Sequence, residues 1–153
     1  MESFRHFIEQ ERNNPDLQST LDMETILRAA ENVDMDYLKG KTLDNISEEI
    51  VQELRENNIN SENIQKICSK LNDYRLIQEI YQLHKGKHIR WLRNGQLTNG
   101  GIVVDVKFTD NGTHILCKNK NKFIQYKYDE CITFQRLSED ELLLLQFMNN
   151  IVA

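Results

Sequence analysis

Eight basic side chains, Arg90, Arg93, Lys107, Lys118, Lys120, Lys122, Lys127 and Arg136, share one stretch of chain with the rings of Trp91, Phe123, Tyr126 and Tyr128. Cationic groups along a groove track phosphates, and exposed ring faces stack bases. The interleaving therefore points to nucleic-acid contact through Arg90, Trp91, Arg93, Lys107, Lys118, Lys120, Lys122, Tyr126 and Lys127. With about four phosphates neutralised, raising salt from 50 to 200 mM would weaken such binding roughly a hundredfold. The plainer alternative is a solvated face whose aromatics fill a core, because strand alternation turns some rings inward. A narrower chemistry, a cage for methylated lysine, would gather Trp91, Tyr126 and Tyr128 around Asp129. The local excess of positive charge opposes such a cationic guest.

Other chemistries find less support. No His, Cys and Asp share a local spacing that pairs a nucleophile with its base. Asn99-Gly100-Gly101 precedes a strand pattern, so it lacks the helix N-terminus that phosphate loops use. His84 and His88 stand four apart, but Gly86 interrupts the helix that would aim both at one ion. Cys117 and Cys131 fall on different strands, where single cysteines act as small hydrophobes. The expectation is a non-enzymatic protein with no cofactor, no metal and no small-molecule substrate.

These residues sit in a segment of unusual charge. Residues 84–137 hold 10 Lys/Arg against 4 Asp/Glu, whereas residues 1–83 hold 9 against 17, within a net charge of -5. Two surfaces with different partners are the natural reading. The segment is cut by glycine- and asparagine-rich turns into five short strand patterns, KGKHIRWLRNG, LTNGGIVVDVKF, THILCK, KFIQYKY and ITFQRL. Ile102, Val104, Val106 and Phe108 alternate with Val103, Asp105 and Lys107, the period of a half-buried strand. Gly100-Gly101 suits a bulge or sharp bend, and Asp110-Asn111-Gly112 a tight hairpin. The expected fold is α+β: an acidic helical region over 1–83, a basic five-stranded SH3/Tudor-like barrel over 84–137, and a C-terminal helix over 138–153.

Helical spacing predicts elements over 2–12, from Asp22 to about Asn32, and from the Asp44–Ser47 region to about Glu56. Asn13-Asn14-Pro15-Asp16 would stop the first. Ser61 is placed as the cap of a further helix. From there Ile64, Ile67, Cys68, Leu71, Tyr74, Ile77, Ile80 and Tyr81 continue the spacing to Leu83, as one helix or two bent near Asn72-Asp73, with Gly86 as the stop. Ile50–Leu71 has the outline of a helix-turn-helix, a sequence-reading alternative weakened by the acidity of that half. Ser138 and Glu141 form a capping box before an apolar helix. Its Leu142, Leu145, Phe147, Met148 and Ile151 must dock on the barrel and helices of its own chain or on a partner, which opens the alternative of a protein-assembly module or homo-oligomer.

Hydrophobic content of 39% and charged content of 28% fit a globular protein. No apolar run approaches the about 18–20 residues of a membrane span. The N-terminus lacks the charge and apolar core of a secretory signal. Three dispersed cysteines fit a reducing, intracellular setting.

LHKGKHIRWL, followed by QLTNGGIVVDV and ITFQRL, resembles small SH3/Tudor-like barrel proteins of large nucleocytoplasmic DNA viruses. Leu83, Gly86, Ile89, Arg90, Leu97, Gly100, Gly101, Ile132 and Phe134 carry the match, over about a third of the chain. The resemblance implies a virion or virus-factory component with no activity attached.

Overall fold

The computed structural model describes residues 23–33, 35–38 and 40–152. The helix expected over residues 2–12, its stop and the Asp22 cap lie outside the described residues. The fold is α+β with a mostly antiparallel sheet. The chain divides into two compact units: the described residues up to Ile46 together with those from Leu137 onward, and Ser47–Arg136.

The first unit is helical. Helix α1 spans Met23–Glu31, the short α2 spans Met35–Leu38, and α5 spans Glu139–Val152. Met23, Ile26, Ala29 and Ala30 recur at helical spacing on α1 and pack with Leu144, Leu145, Phe147 and Met148 of α5. The Ser138 hydroxyl accepts from the Glu141 amide at 3.1 Å, and the Glu141 carboxylate accepts from the Ser138 amide at 2.9 Å. That is the predicted capping box. The apolar face of this helix packs against the other helices of its own unit. Leu145, Phe147 and Met148 are buried and Leu142 is half-buried there; the Ile151 side chain lies outside the described set.

In the second unit α3 runs over Leu43–Glu56, its first residues belonging to the helical unit, and α4 over Ser61–Ser69. The cap of α3 is Thr42, whose hydroxyl accepts from the Asn45 amide. Asn60, not Ser61, caps α4 by accepting from the Asn63 amide at 2.8 Å. The strands are β1 (Tyr74–Ile77), β2 (His88–Arg93), β3 (Gln96–Leu97), β4 (Gly101–Thr109), β5 (Gly112–Asn119), β6 (Lys122–Lys127) and β7 (Ile132–Arg136). Their order is β1-β7-β2-β4-β5-β6, with β3 paired to β2.

β1 corrects the helix expected through Leu83. All four of its residues are buried, with Tyr74 and Leu76 in the cluster under the helices and Ile77 in the opposite one. A strand covered on both faces shows no alternation, so its apolar residues fell by chance on helical spacing. Gly86 accordingly ends no helix; it precedes β2, with its amide bonded to the Val103 carbonyl. The boundary read at Leu83 cuts through this sheet, because β1 pairs along its whole length with β7.

Two clusters sandwich the sheet. Ile50, Leu54, Ile64, Ile67 and Leu71 of the α3–α4 region cover Tyr74, Leu76, Leu92 and Phe134 on one side. On the other, Ile77, Ile89, Trp91, Val103, Ile115, Cys117 and Tyr126 pack together. The Tyr126 hydroxyl lies 2.8 Å from Thr133 Oγ1, so side chains link β6 to β7 although no ladder pair joins them among the described residues. Gly100 allows the chain to cross β2: at φ 74° a Cβ there would lie 1.8 Å from the Ile89 carbonyl oxygen.

Candidate nucleic-acid interface

Directly paired residues of neighbouring strands point to the same side of a sheet. Register therefore builds three rows across β4, β5 and β6: Ile102–Lys118–Phe123, Asp105–Leu116–Gln125 and Lys107–His114–Lys127. The intervening rows, Val103–Cys117–Ile124 and Val106–Ile115–Tyr126, face the inner cluster. A bulge between Val103 and Asp105 leaves Val104 without a register partner and resets the alternation. Val103 is thus 2% exposed while Ile102 and Val104 are 41% and 39% exposed. The sequence pattern had paired Val106 with those two; the bulge turns it inward. Phe108, next to last in the strand, is 71% exposed.

The first row continues across the sheet. Ile102 pairs with His88, whose Nδ1 lies 2.9 Å from the Tyr74 hydroxyl, and Tyr74 pairs with Arg136. Over β1, β7 and β2 this outer side is covered by α3 and α4; over β4, β5 and β6 it is open. Lys118 Nζ lies 5.9 Å from the centre of the Phe123 ring, which is 63% exposed. Lys120 and Lys122 stand on the β5–β6 turn, where Lys120 adopts φ 57° and the turn lines a hollow of about 410 Å³ with Ile124. Of the residues expected to bind, Lys107, Lys118, Lys120, Lys122 and Lys127 thus fall on the open face and its adjoining turn. Lys127 also approaches Glu130 at 3.9 Å.

Of the other expected contacts, Trp91, Tyr126 and Arg90 are corrected. Trp91 and Tyr126 are each 4% exposed and stack on each other, with centroids 4.0 Å apart and planes at 14°. They fill the core and offer no ring to a base. Burying them also removes the methyl-lysine cage; Tyr128 is half-buried, and Asp129 accepts from the Thr113 amide. Arg90 spends its guanidinium on the Thr98 and Lys70 carbonyls. Arg93 is exposed beside the β2–β3 turn, outside the three rows. Ile102, Val104, Asp105, His114, Leu116 and Gln125 join the face without having been singled out, and Asp105 pairs with Lys85 at 3.6 Å.

The cysteines are free thiols, Cys117 buried and Cys68 and Cys131 half-buried. Burial pushes the Cys117 thiol up to about 12, and raises the other two by less complete desolvation. A thiol reagent at pH 8 should modify Cys68 and Cys131 first and leave Cys117 until the protein unfolds. Counting modified sites by mass spectrometry against time checks this. Among the described residues no three His, Cys, Asp or Glu side chains form a group that could hold a metal ion.

Burial, then Arg136 and Arg90, hold His88 below its ordinary value of 6.5, against the opposing pull of Asp73. Below about 6.5 the unfolded chain takes up a proton that the folded chain refuses, so stability should fall on acidification until folded His88 also protonates. Urea midpoints measured from pH 7.5 to 5.5 should decline, and His88→Gln should flatten the decline.

No protein-family model, curated protein or solved structure matches this chain. No helix among the described residues is long and apolar enough to cross a membrane.

Proposed function

We propose that the chain is a non-enzymatic binding protein that contacts single-stranded nucleic acid through the outer face of β4, β5 and β6. The observation that carries this reading is the exposed Phe123 ring set beside Lys118, with Lys107, Lys120, Lys122 and Lys127 on the same face and turn. The lysines supply charge to a phosphate chain, and the ring, with Ile102 and Leu116 behind it, supplies an apolar platform for a base. A duplex keeps its base faces stacked inside, so a single strand suits a protruding ring better. The order β7-β2-β4-β5-β6, with a short helical turn at Tyr128–Glu130 before β7, supports treating this meander as an SH3-like barrel with β1 added at its edge. The sequence resemblance supports a virion or virus-factory setting.

The test is fluorescence anisotropy of a labelled, mixed-sequence single strand at 50 and 200 mM salt. Binding that weakens steeply with salt and exceeds binding to the matching duplex supports the reading. No binding, or binding indifferent to salt, removes it.

A further inference from the structure

We infer a second site, a phosphate-ester groove between α4 and the β2–β3 hairpin, separate from the open sheet face. The groove encloses about 600 Å³ and is lined chiefly by Asn63, Lys66, Lys70, Asn94, Gln96 and Leu97. Lys66 and Lys70 are four residues apart at the C-terminal end of α4, so both ammonium groups leave the same side of the helix. Among the described residues no carboxylate lines the groove. Glu62 reaches Lys66 at 3.7 Å, but both side chains are largely exposed, and such a pair yields readily to a stronger anion.

The opposite wall is the tight turn at Asn94 and Gly95, with φ of 52° and 79°. Asn63, Asn94 and Gln96 bring carboxamides, which both donate and accept and so suit the polar edges of a base or sugar. Arg90 holds the walls in place. Its Nε donates to the Thr98 carbonyl just after the hairpin at 2.8 Å, and Nη1 donates to the Lys70 carbonyl at the end of α4 at 3.4 Å. A guanidinium that ties both walls makes the groove preformed, and preorganisation favours binding. Two ammonium groups and the Asn63 carboxamide on the α4 wall, with the Asn94 and Gln96 carboxamides on the other, match a phosphate monoester on a polar body, and the volume admits a mononucleotide. The same chemistry occurs on a free nucleotide and on the 5′-phosphorylated end of a strand.

The test uses the full, ¹⁵N-labelled chain titrated with AMP, with adenosine, and with a trinucleotide carrying or lacking a 5′-phosphate. The Gly95 amide, isolated by its glycine shift, should move saturably with AMP and not with adenosine. Lys66→Gln with Lys70→Gln, both surface changes, should weaken AMP binding at least about tenfold, the scale of losing charged hydrogen bonds. Lys118→Gln with Lys122→Gln should leave it unchanged. Tighter binding of the phosphorylated trinucleotide identifies a strand end, and tighter binding of AMP a free nucleotide; either supports the groove. Equal shifts from adenosine and AMP, no saturable shift, or a full loss in the Lys118/Lys122 variant overturns it.

Discussion

A Trp91→Ala variant should lose about 3–5 kcal/mol of unfolding free energy, the range for emptying a buried aromatic site. Trp91 lies 4% exposed in the inner cluster, and its ring stacks on Tyr126, whose hydroxyl in turn meets Thr133 on β7. Removing the indole therefore opens a cavity and frees the side chain that links β6 to β7. Aromatic stacking adds about 0.5–1.5 kcal/mol beyond the area buried, so Trp91→Phe should cost distinctly less than Trp91→Ala. Because Trp91 is the chain's only tryptophan, the unfolding curve is followed by circular dichroism. A base-stacking Trp91 would give the opposite result, with stability unchanged and oligonucleotide affinity reduced. That outcome would place the ring on the surface and undo the inner cluster.

The orientation of Trp91 was legible in the sequence, though not by counting aromatics. In His88–Arg93, Ile89 and Trp91 share one parity and pack in the inner cluster, while His88, Arg90 and Leu92 share the other, which lies toward the helices. Tyr126 likewise shares parity with Ile124, and Phe123 with Gln125 and Lys127. Treating the four rings as one set hid this division. The strand from Gly101 resisted the same logic for a physical reason. Its bulge adds one residue, so Val103 before it and Val106 after it both point inward, and no single phase describes the strand. Gly100-Gly101 had drawn the expected bulge one strand-start too early, when its role is the close crossing over Ile89.

Where one face of an element is wet, the pattern served well. α1 and α3 were found from their apolar stripes, and the Ser138–Glu141 box marked α5 correctly. β1 failed because neither of its faces is wet. The groove beside α4 depends on a contact no local pattern contains, Arg90 reaching back twenty residues to the Lys70 carbonyl.

Replacing Lys107, Lys118, Lys122 and Lys127 together by glutamine should abolish most of the salt dependence of single-strand binding. Each phosphate neutralised contributes about 0.7 to the log–log salt slope for a single strand and about 0.9 for a duplex. Four contacts thus make a fourfold rise in salt weaken binding roughly fiftyfold for a single strand and about 150-fold for a duplex, and the quadruple variant should show only a small fraction of that response. Folding should be little affected, since Lys107, Lys118 and Lys122 are exposed and the Lys127–Glu130 pair at 3.9 Å is a surface contact worth little. The chain already carries a net charge of -5, so removing any four cations adds general repulsion. Arg28→Gln with Arg55→Gln, two cations of the helices α1 and α3, measures that background and should shift affinity without flattening the slope. Phe123→Ala separates the second component: losing one stacked base costs about 1–3 kcal/mol, which should lower affinity while leaving the salt slope intact. A quadruple variant with the parent slope would mean that the phosphate chain runs elsewhere, and the open face of β4, β5 and β6 would lose its claim to be the binding surface.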